Sequence, residues 1–149
     1  MSNVGFREAV SGDVSSIAAL LADDDLGQTR EQLDDPAYLA AFQAMENEPH
    51  NTLIVGEIEG VVVAVYQLTV ISGVSLKGTR RAQIEGVRVA SHLRGQGVGR
   101  LLIEDAEYRA GLEGAGLMQF TTNVAREKAH QFYSDLGYQP SHVGFKKPL

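Results

Sequence analysis

The stretch of sequence that says most about this chain is Arg94-Gly95-Gln96-Gly97-Val98-Gly99-Arg100. It follows a segment with the pattern of a strand and opens a segment with an apolar helical stripe. Glycine lets the backbone turn tightly and approach a ligand without a side-chain clash. The unpaired N–H groups and the positive dipole at a helix start attract anions, and the two arginines add charge for phosphate. The stretch predicts a phosphate-binding turn; the alternative is a turn that only connects two elements.

Two common phosphate-binding patterns do not fit this turn. The P-loop requires Gly, four residues and then Gly-Lys-Ser/Thr, which the chain lacks. The dinucleotide pattern Gly-x-Gly-x-x-Gly would need its third glycine at Arg100 or at Leu102, depending on the starting glycine. A nucleotide-binding regulatory domain is therefore disfavoured.

Apolar spacing on both sides of the turn predicts the surrounding elements. Strands are predicted over residues 4–9, 52–58, 61–71, 80–89 and 117–122, and one or two short strands over 138–147. Residues 72–79 are predicted to form a polar loop. Helices are predicted after a cap at Ser11 or Asp13, from Asp35-Pro36 to Pro49, from Val98 to Gly114 or Gly116, and over 126–136. This order predicts a mixed α/β sheet in one domain over residues 1–149.

Composition excludes several classes of protein. The chain has no Cys, which rules out disulfides, thiolate metal sites and a Cys nucleophile. The four His show no paired spacing, so no metal is expected. A net charge of -6 argues against a nucleic-acid partner and favours a neutral or cationic substrate. The start of the chain lacks the features of a signal peptide and the longest apolar run is far too short to span a membrane, so a cytoplasmic protein without a membrane partner is expected.

Two motifs together resemble a known enzyme family. Residues 83–89 followed by Arg94-x-x-Gly97-x-Gly99 look like the acetyl-CoA site of the GNAT N-acetyltransferase superfamily. Asn123, Phe132-Tyr133 and Leu136-Gly137-Tyr138 are similar to its closing motif. The element order matches as well, so the resemblance covers nearly the whole chain. It implies a single-domain α/β fold with a mostly antiparallel central sheet, a splayed strand pair and about four flanking helices.

The resemblance implies roles on the side of the acyl donor. Arg94 and the backbone N–H groups of Gly95, Gln96, Gly97, Val98, Gly99 and Arg100 would hold the pyrophosphate of acetyl-CoA. Main-chain groups of Val87 and Val89 would pair with the pantetheine arm, and the N–H of Val87 would polarise the thioester carbonyl. Asn123 would contact the cofactor; otherwise it is a cap of the following helix.

The resemblance also implies two catalytic side chains. Glu85 would take a proton from the amine, often through water, and it should share a strand face with Val87 because residues two apart do so. Its alternatives are a partner for Arg80, Arg81 or Arg88, or a charge that attracts a cationic substrate. Tyr133 would protonate the leaving thiolate; its alternative is a core aromatic, because it shares an apolar stripe with Phe132.

The expected function is transfer of acetyl from acetyl-CoA to a primary amine of a small substrate, with a bias to cationic amines, by direct attack in a ternary complex. The alternatives are acetylation of protein N-termini or lysines and a non-catalytic acyl-CoA sensor. The run Asp23-Asp24-Asp25 is either a solvated helix end or an attractor for a cationic amine. Because the family often dimerises, a homodimer is a further expectation from the resemblance alone.

Overall fold

The computed structural model describes residues 3–24 and 27–149. The chain divides into two compact units, Met1–Gln119 and Phe120–Leu149. Residues 1–2, which belong to the expectation about the start of the chain, lie outside the described residues. Residue 25, the last of the acidic run, also lies outside them.

The first unit contains a sheet of five strands in the order in which they follow along the chain. Neighbouring strands are antiparallel except for the last pair, which is parallel. The mixed, mostly antiparallel sheet is therefore confirmed. Glu59 and Gly60 join the second and third strands and have φ of 49° and 80°. Two consecutive residues with positive φ form a turn whose twist matches that of the flanking hairpin strands. The strands are β1 (Gly5–Glu8), β2 (Asn51–Ile58), β3 (Val61–Ile71), β4 (Arg81–Val89) and β5 (Leu117–Gln119).

The described residues form six helices, four of them nine residues or longer, which agrees with the predicted number. The two one-turn helices were not predicted. One lies in the predicted polar loop, and its Leu76 and Lys77 have positive φ, which no apolar pattern signals. The helices are α1 (Val14–Ala22), α2 (Gly27–Arg30), α3 (Ala37–Glu46), α4 (Ser75–Gly78), α5 (Val98–Leu112) and α6 (Glu127–Asp135).

Helices of the first unit cover both faces of its sheet. On one face, Ile17 and Leu20 of α1 belong to a buried cluster with Val65 of β3. On the other face, the hydroxyl of Tyr66 donates a 2.5 Å hydrogen bond to Asp105 of α5. Burial and this bond raise the pKa of Tyr66 above its usual range. Since Val65 and Tyr66 are consecutive and both fully buried, β3 is the strand covered on both sides that its apolar run predicts.

A β-bulge interrupts β4 next to the candidate site. Residue pairing runs from Gln67–Glu85 to Val65–Arg88, so Gly86 and Val87 together oppose one residue of β3. Gly86 has φ of 59°, which glycine adopts without strain. The extra residue shifts the alternation, so Glu85 now shares a face with Arg88. The expectation that Glu85 and Val87 share a face is therefore wrong.

The strand pair β4–β5 is short. Pairing covers only Arg81 to Gln83 on β4. Beyond Gln83, no strand of the described residues pairs with that edge of β4, which confirms the expected splayed pair. The open edge contains Val87 and Val89, the residues predicted to offer main-chain groups to the pantetheine arm.

The second unit consists of α6 and an aromatic cluster. The ring of Phe120 lies 4.3 Å from that of Tyr133 and 4.9 Å from that of Tyr138, measured between centroids. Residues 138–149 form no strand, so the predicted tail strands are wrong. Val143 and Phe145 are 79% and 92% exposed, and an alternating pattern without a partner strand cannot satisfy its backbone groups by pairing. The strand predicted over 117–122 also ends early, at Gln119.

Candidate functional site

The glycine-rich turn connects β4 to α5 in the first unit. A 3-10 turn, Ser91–Leu93, follows the strand. Gly95 and Gly97 then adopt φ of 76° and 88°, and no atom lies within 4 Å of the position that a Cβ would take on either. Val98 is 1% exposed and fixes the start of α5 in the core. The turn is therefore anchored by one apolar side chain and is open to solvent on its glycines.

The backbone N–H groups of this turn are available to a ligand. Within residues 3–24 and 27–149, none of the N–H groups of residues 95–100 donates a hydrogen bond. The first backbone hydrogen bond of α5 runs from the N–H of Leu101 to the carbonyl of Gly97. Unpaired donors at a helix start, with the dipole behind them, form an anion site. The turn thus presents the unpaired N–H groups from which a phosphate cradle is predicted, and its role in binding pyrophosphate stays a prediction.

The side chain of Arg94 is directed to carbonyl groups of the protein. Its Nη2 donates to the carbonyl of Asp23 at 2.6 Å and its Nε to the carbonyl of Val89 at 3.2 Å. The carboxylate of Asp23 in turn accepts from the N–H of Ser91 at 3.1 Å. In this conformation Arg94 braces the end of α1 against the turn, a structural role that its sequence context did not signal.

A second arginine joins the same region to β4. The Nε of Arg88 lies 2.9 Å from the carboxylate of Asp24, and their side chains are 8% and 15% exposed. Nη1 of Arg88 also donates to the carbonyl of Val87 at 2.8 Å. The interpretation of this run as a solvated helix end is therefore wrong for Asp24. It holds for Asp23, which is the C-cap of α1 and has a side chain that is 42% exposed.

Glu85 lies on β4, one residue before the bulge, and is exposed. Its Oε1 accepts a 3.2 Å hydrogen bond from Gln83, whose side chain accepts one of the same length from Gln119. Across the strands it faces Gln67, which donates to Asn51 at 2.8 Å. No ion pair joins Glu85 to an arginine within the described ranges. An accessible carboxylate in a polar strip can exchange protons with an amine or a water.

A pocket lies on the same sheet face, and no sequence motif indicated it. Its volume is about 140 Å³. Leu21 of α1 lines it, and the Cδ2 of Leu21 is 3.5 Å from where a Cβ on Gly86 would lie. The pocket therefore adjoins the bulge. Its other walls are Val14, Ile17, Ala18, Tyr38, Ala41, Phe42, Met45, Leu53 and Gln67.

The second unit holds the other two predicted site residues. Tyr133 is half-buried on α6, and its ring also lies 5.1 Å from that of Phe132. Asn123 is exposed, and its Oδ1 accepts from the N–H of Ala125 at 2.9 Å, which begins the turn into α6. This local bond is an Asx turn ahead of the helix; the N-cap position of α6 is Arg126, so the alternative of Asn123 as the helix cap is wrong. The catalytic role of Tyr133 and the cofactor role of Asn123 stay predictions.

The described part of the chain contains neither a cluster of metal-ligating side chains nor a helix that could span a membrane. Nowhere in residues 3–24 and 27–149 do three or more His, Asp or Glu side chains come together as metal ligands would. None of the helices in those ranges has the length and apolarity needed to cross a bilayer.

Comparison with known proteins identifies the family of this chain through a family model and a curated relative. Residues 17–138 match the sequence model of the Acetyltransferase (GNAT) family. The aminoalkylphosphonate N-acetyltransferase of Salmonella typhimurium is 31% identical over 147 residues, which cover 96% of this chain and 90% of that protein. A transcriptional regulator from Bacillus halodurans is 39% identical with a TM-score of 0.94 over 99% of this chain and 100% of that one. AAC(6')-Iy, solved in complex with the bisubstrate analog CoA-S-monomethyl-acetylneamine, shares the fold at 16% identity with a TM-score of 0.79, covering 99% of this chain and 100% of that one.

Proposed function

The chain belongs to the GNAT acetyltransferase family and is an N-acetyltransferase, and on that premise we propose that it moves acetyl from acetyl-CoA to a primary amine of a small molecule. Members of the family use acetyl-CoA. The observation that supports acetyl-CoA here is the set of unpaired N–H groups over residues 95–100, beside the open edge of β4. A diphosphate fits such a cradle, and an extended pantetheine arm fits an unpaired strand edge.

The proposed chemistry is direct attack in a ternary complex. The amine nitrogen forms a bond to the thioester carbonyl carbon, and the carbon–sulfur bond breaks to release CoA. The N–H of Val87 stabilises the oxyanion, a contribution of about 2.7–4 kcal/mol for one such donor. Glu85 takes the proton that the amine loses, through a water, and Tyr133 gives a proton to the thiolate. Residues Gly95 to Arg100 hold the pyrophosphate, Val87 and Val89 hold the pantetheine arm, and Asn123 contacts the cofactor.

A small acceptor is favoured over a protein because of the relative's substrate. The Salmonella protein is named for acetylating aminoalkylphosphonates, which are small primary amines. Acetylation of a protein N-terminus or a lysine is the second candidate within the same chemistry. The cytoplasmic location, the homodimer, the absence of a nucleic-acid partner and the single domain over residues 1–149 stay predictions.

Calorimetric titration and a thiol-release assay test this function together. We expect acetyl-CoA and CoA to bind and NAD not to bind, because the turn departs from the dinucleotide pattern. Thiol release should then depend on both acetyl-CoA and a primary amine. With Glu85→Gln, activity near pH 7 should fall more than activity at alkaline pH, where the amine is already neutral. Absence of acetyl-CoA binding would contradict the donor, and an unchanged pH profile would remove Glu85 as the base.

A further inference from the structure

We propose that the pocket between α1 and α3 binds the carbon side chain of the acceptor, so that the preferred substrates are primary amines with an uncharged apolar group. This inference rests on the proposed function and adds the substrate class to it. The group it admits is about the size of a phenyl ring or a short branched alkyl chain. Amines whose second group is an anion such as a phosphonate, or a further cation, are poor substrates.

The chemistry of the pocket wall selects for carbon. No Lys, Arg, Asp or Glu side chain is among the lining residues in the described part of the chain. Transfer of an unpaired ionised group from water into such an apolar site is strongly unfavourable in free energy. The cavity volume of about 140 Å³ is close to that of an apolar cavity of about 150 Å³ that binds benzene in another protein.

One polar side chain in the wall connects the pocket to the reacting groups. Gln67 lines the pocket, and its partner across the strands is Glu85, the proposed base. Side chains opposite each other on antiparallel strands have Cβ atoms about 4.5–5.5 Å apart. An amine whose carbon chain lies in the pocket would therefore hold its nitrogen close to the side chains of Gln67 and Glu85.

The end of α1 connects the pocket to the bulge. Leu21 both lines the pocket and lies against Gly86. Gly86 precedes Val87, whose N–H is proposed to polarise the thioester. Within the first unit, the apolar wall thus adjoins both the proposed base, Glu85, and the strand segment that contains the proposed oxyanion donor, Val87. Such an arrangement can position an amine for attack on the thioester.

Methionine NMR offers a test of binding that does not depend on activity. The chain has three methionines, and Met45 lies in the pocket wall while Met118 lies in β5. In protein labelled at the methionine methyl carbons, benzylamine should shift the Met45 signal by its ring current and leave that of Met118 in place. 2-Aminoethylphosphonate should shift neither. A Met45 signal indifferent to benzylamine would overturn the inference and would make the cavity a packing gap between the two helices.

A matched pair of variants on α3 tests the effect on the reaction. Ala41 lines the pocket and is exposed, so Ala41→Leu fills the pocket at small risk to folding. Ala44 is exposed on the same helix and outside the pocket, so Ala44→Leu is the control. We expect Ala41→Leu to lower kcat/KM for benzylamine by about tenfold or more, with little change for methylamine, and Ala44→Leu to change neither. Thermal melts verify that both variants fold.

The outcomes separate this inference from the proposed function. Acetylation of 2-aminoethylphosphonate in preference to benzylamine, with no effect of Ala41→Leu, would overturn the apolar acceptor and leave acetyl transfer intact. A benzylamine-dependent shift of Met45 without acetylation of any amine would retain the pocket as a ligand site and overturn the proposed function.

Discussion

The turn over residues 94–100 and the pocket between α1 and α3 lie near the same strand but are built in opposite ways. The turn offers backbone N–H groups from consecutive residues, and two left-handed glycines direct them. The pocket is a surface of side chains from two helices and two strands. Recognition by backbone needs only a local conformation, so it can be read in a short stretch of sequence. Recognition by side chains from distant segments depends on how those segments pack.

The bulge in β4 connects these two regions. Glu85 faces the pocket side in regular register with Gln67, and one extra residue at Gly86 and Val87 then breaks the alternation, so that Val87 no longer shares that face. Arg88 and Arg94 then tie the end of α1 to β4 and to the turn. The turn proposed to bind the acyl donor and the pocket proposed to bind the acceptor are therefore joined by two arginines, and variants can separate their contributions.

The largest effect is expected from Tyr133→Phe, which keeps the ring beside Phe120 and removes only the hydroxyl. If that hydroxyl protonates the thiolate, kcat should fall by about 10²- to 10⁴-fold, while the Kd for acetyl-CoA stays the same. Steady-state kinetics and calorimetry check the two quantities. Equal losses in kcat and in affinity would instead identify Tyr133 as a packing residue.

We expect Asp24→Ala to break the ion pair that ties the end of α1, beside the pocket, to β4. Asp24→Ala removes the carboxylate that pairs with the buried guanidinium of Arg88, and breaking a buried ion pair by removing one partner costs about 3 kcal/mol of unfolding free energy. Urea denaturation measures this loss. The double variant with Arg88→Met should recover most of it, because the buried guanidinium is then removed together with the carboxylate. A double variant as unstable as the single one would show that the pair contributes nothing as a pair.

The donor region alone should respond to Gly97→Val. A left-handed φ costs a side chain with a Cβ about 1–2 kcal/mol, so the backbone will relax and move the N–H groups of the turn. The Kd for acetyl-CoA should rise about tenfold, with the KM for the amine little changed. Gly111→Ala, near the other end of α5 with open space around it, is the control and should leave the Kd unaltered. An unchanged Kd in Gly97→Val would exclude the turn as the cradle.

The smallest effect is expected from Asp13→Asn at the start of α1. There Arg7 donates two hydrogen bonds to Asp13, at 2.8 Å and 3.0 Å. These bonds, together with one from the N–H of Val10, lower the pKa of Asp13 despite its burial. A lowered pKa in the folded state stabilises the protein above the unfolded pKa of about 3.9, and this stability is lost as the pH falls below it. Asp13→Asn should lower Tm by about 2–4 °C at pH 7. Melts at several pH values should show that difference shrinking below about pH 4; a constant difference would contradict the pair.

The elements that local patterns describe were predicted well. The four long helices and all five strands of the sheet follow from apolar spacing, caps and turns, since each of these acts over a few residues. The tail strands were predicted wrongly because a strand needs a partner as well as a pattern. The bulge was missed although Gly86, an isolated glycine inside a strand pattern, is a signal for one; the pairing that it shifts can be seen only against the opposite strand.

The site shows the same division. Sequence alone determined the conformation of the glycine-rich turn, because Gly95 and Gly97 allow the backbone that presents its N–H groups and Val98 anchors the helix behind it. It also identified the family, because two motifs sit at a fixed spacing along the chain. Only the tertiary structure decided that Asp24 pairs with Arg88, that Glu85 faces Gln67 and that an apolar pocket ends at the bulge. These features join residues far apart in the chain, and their geometry exists only after the sheet and the helices have packed.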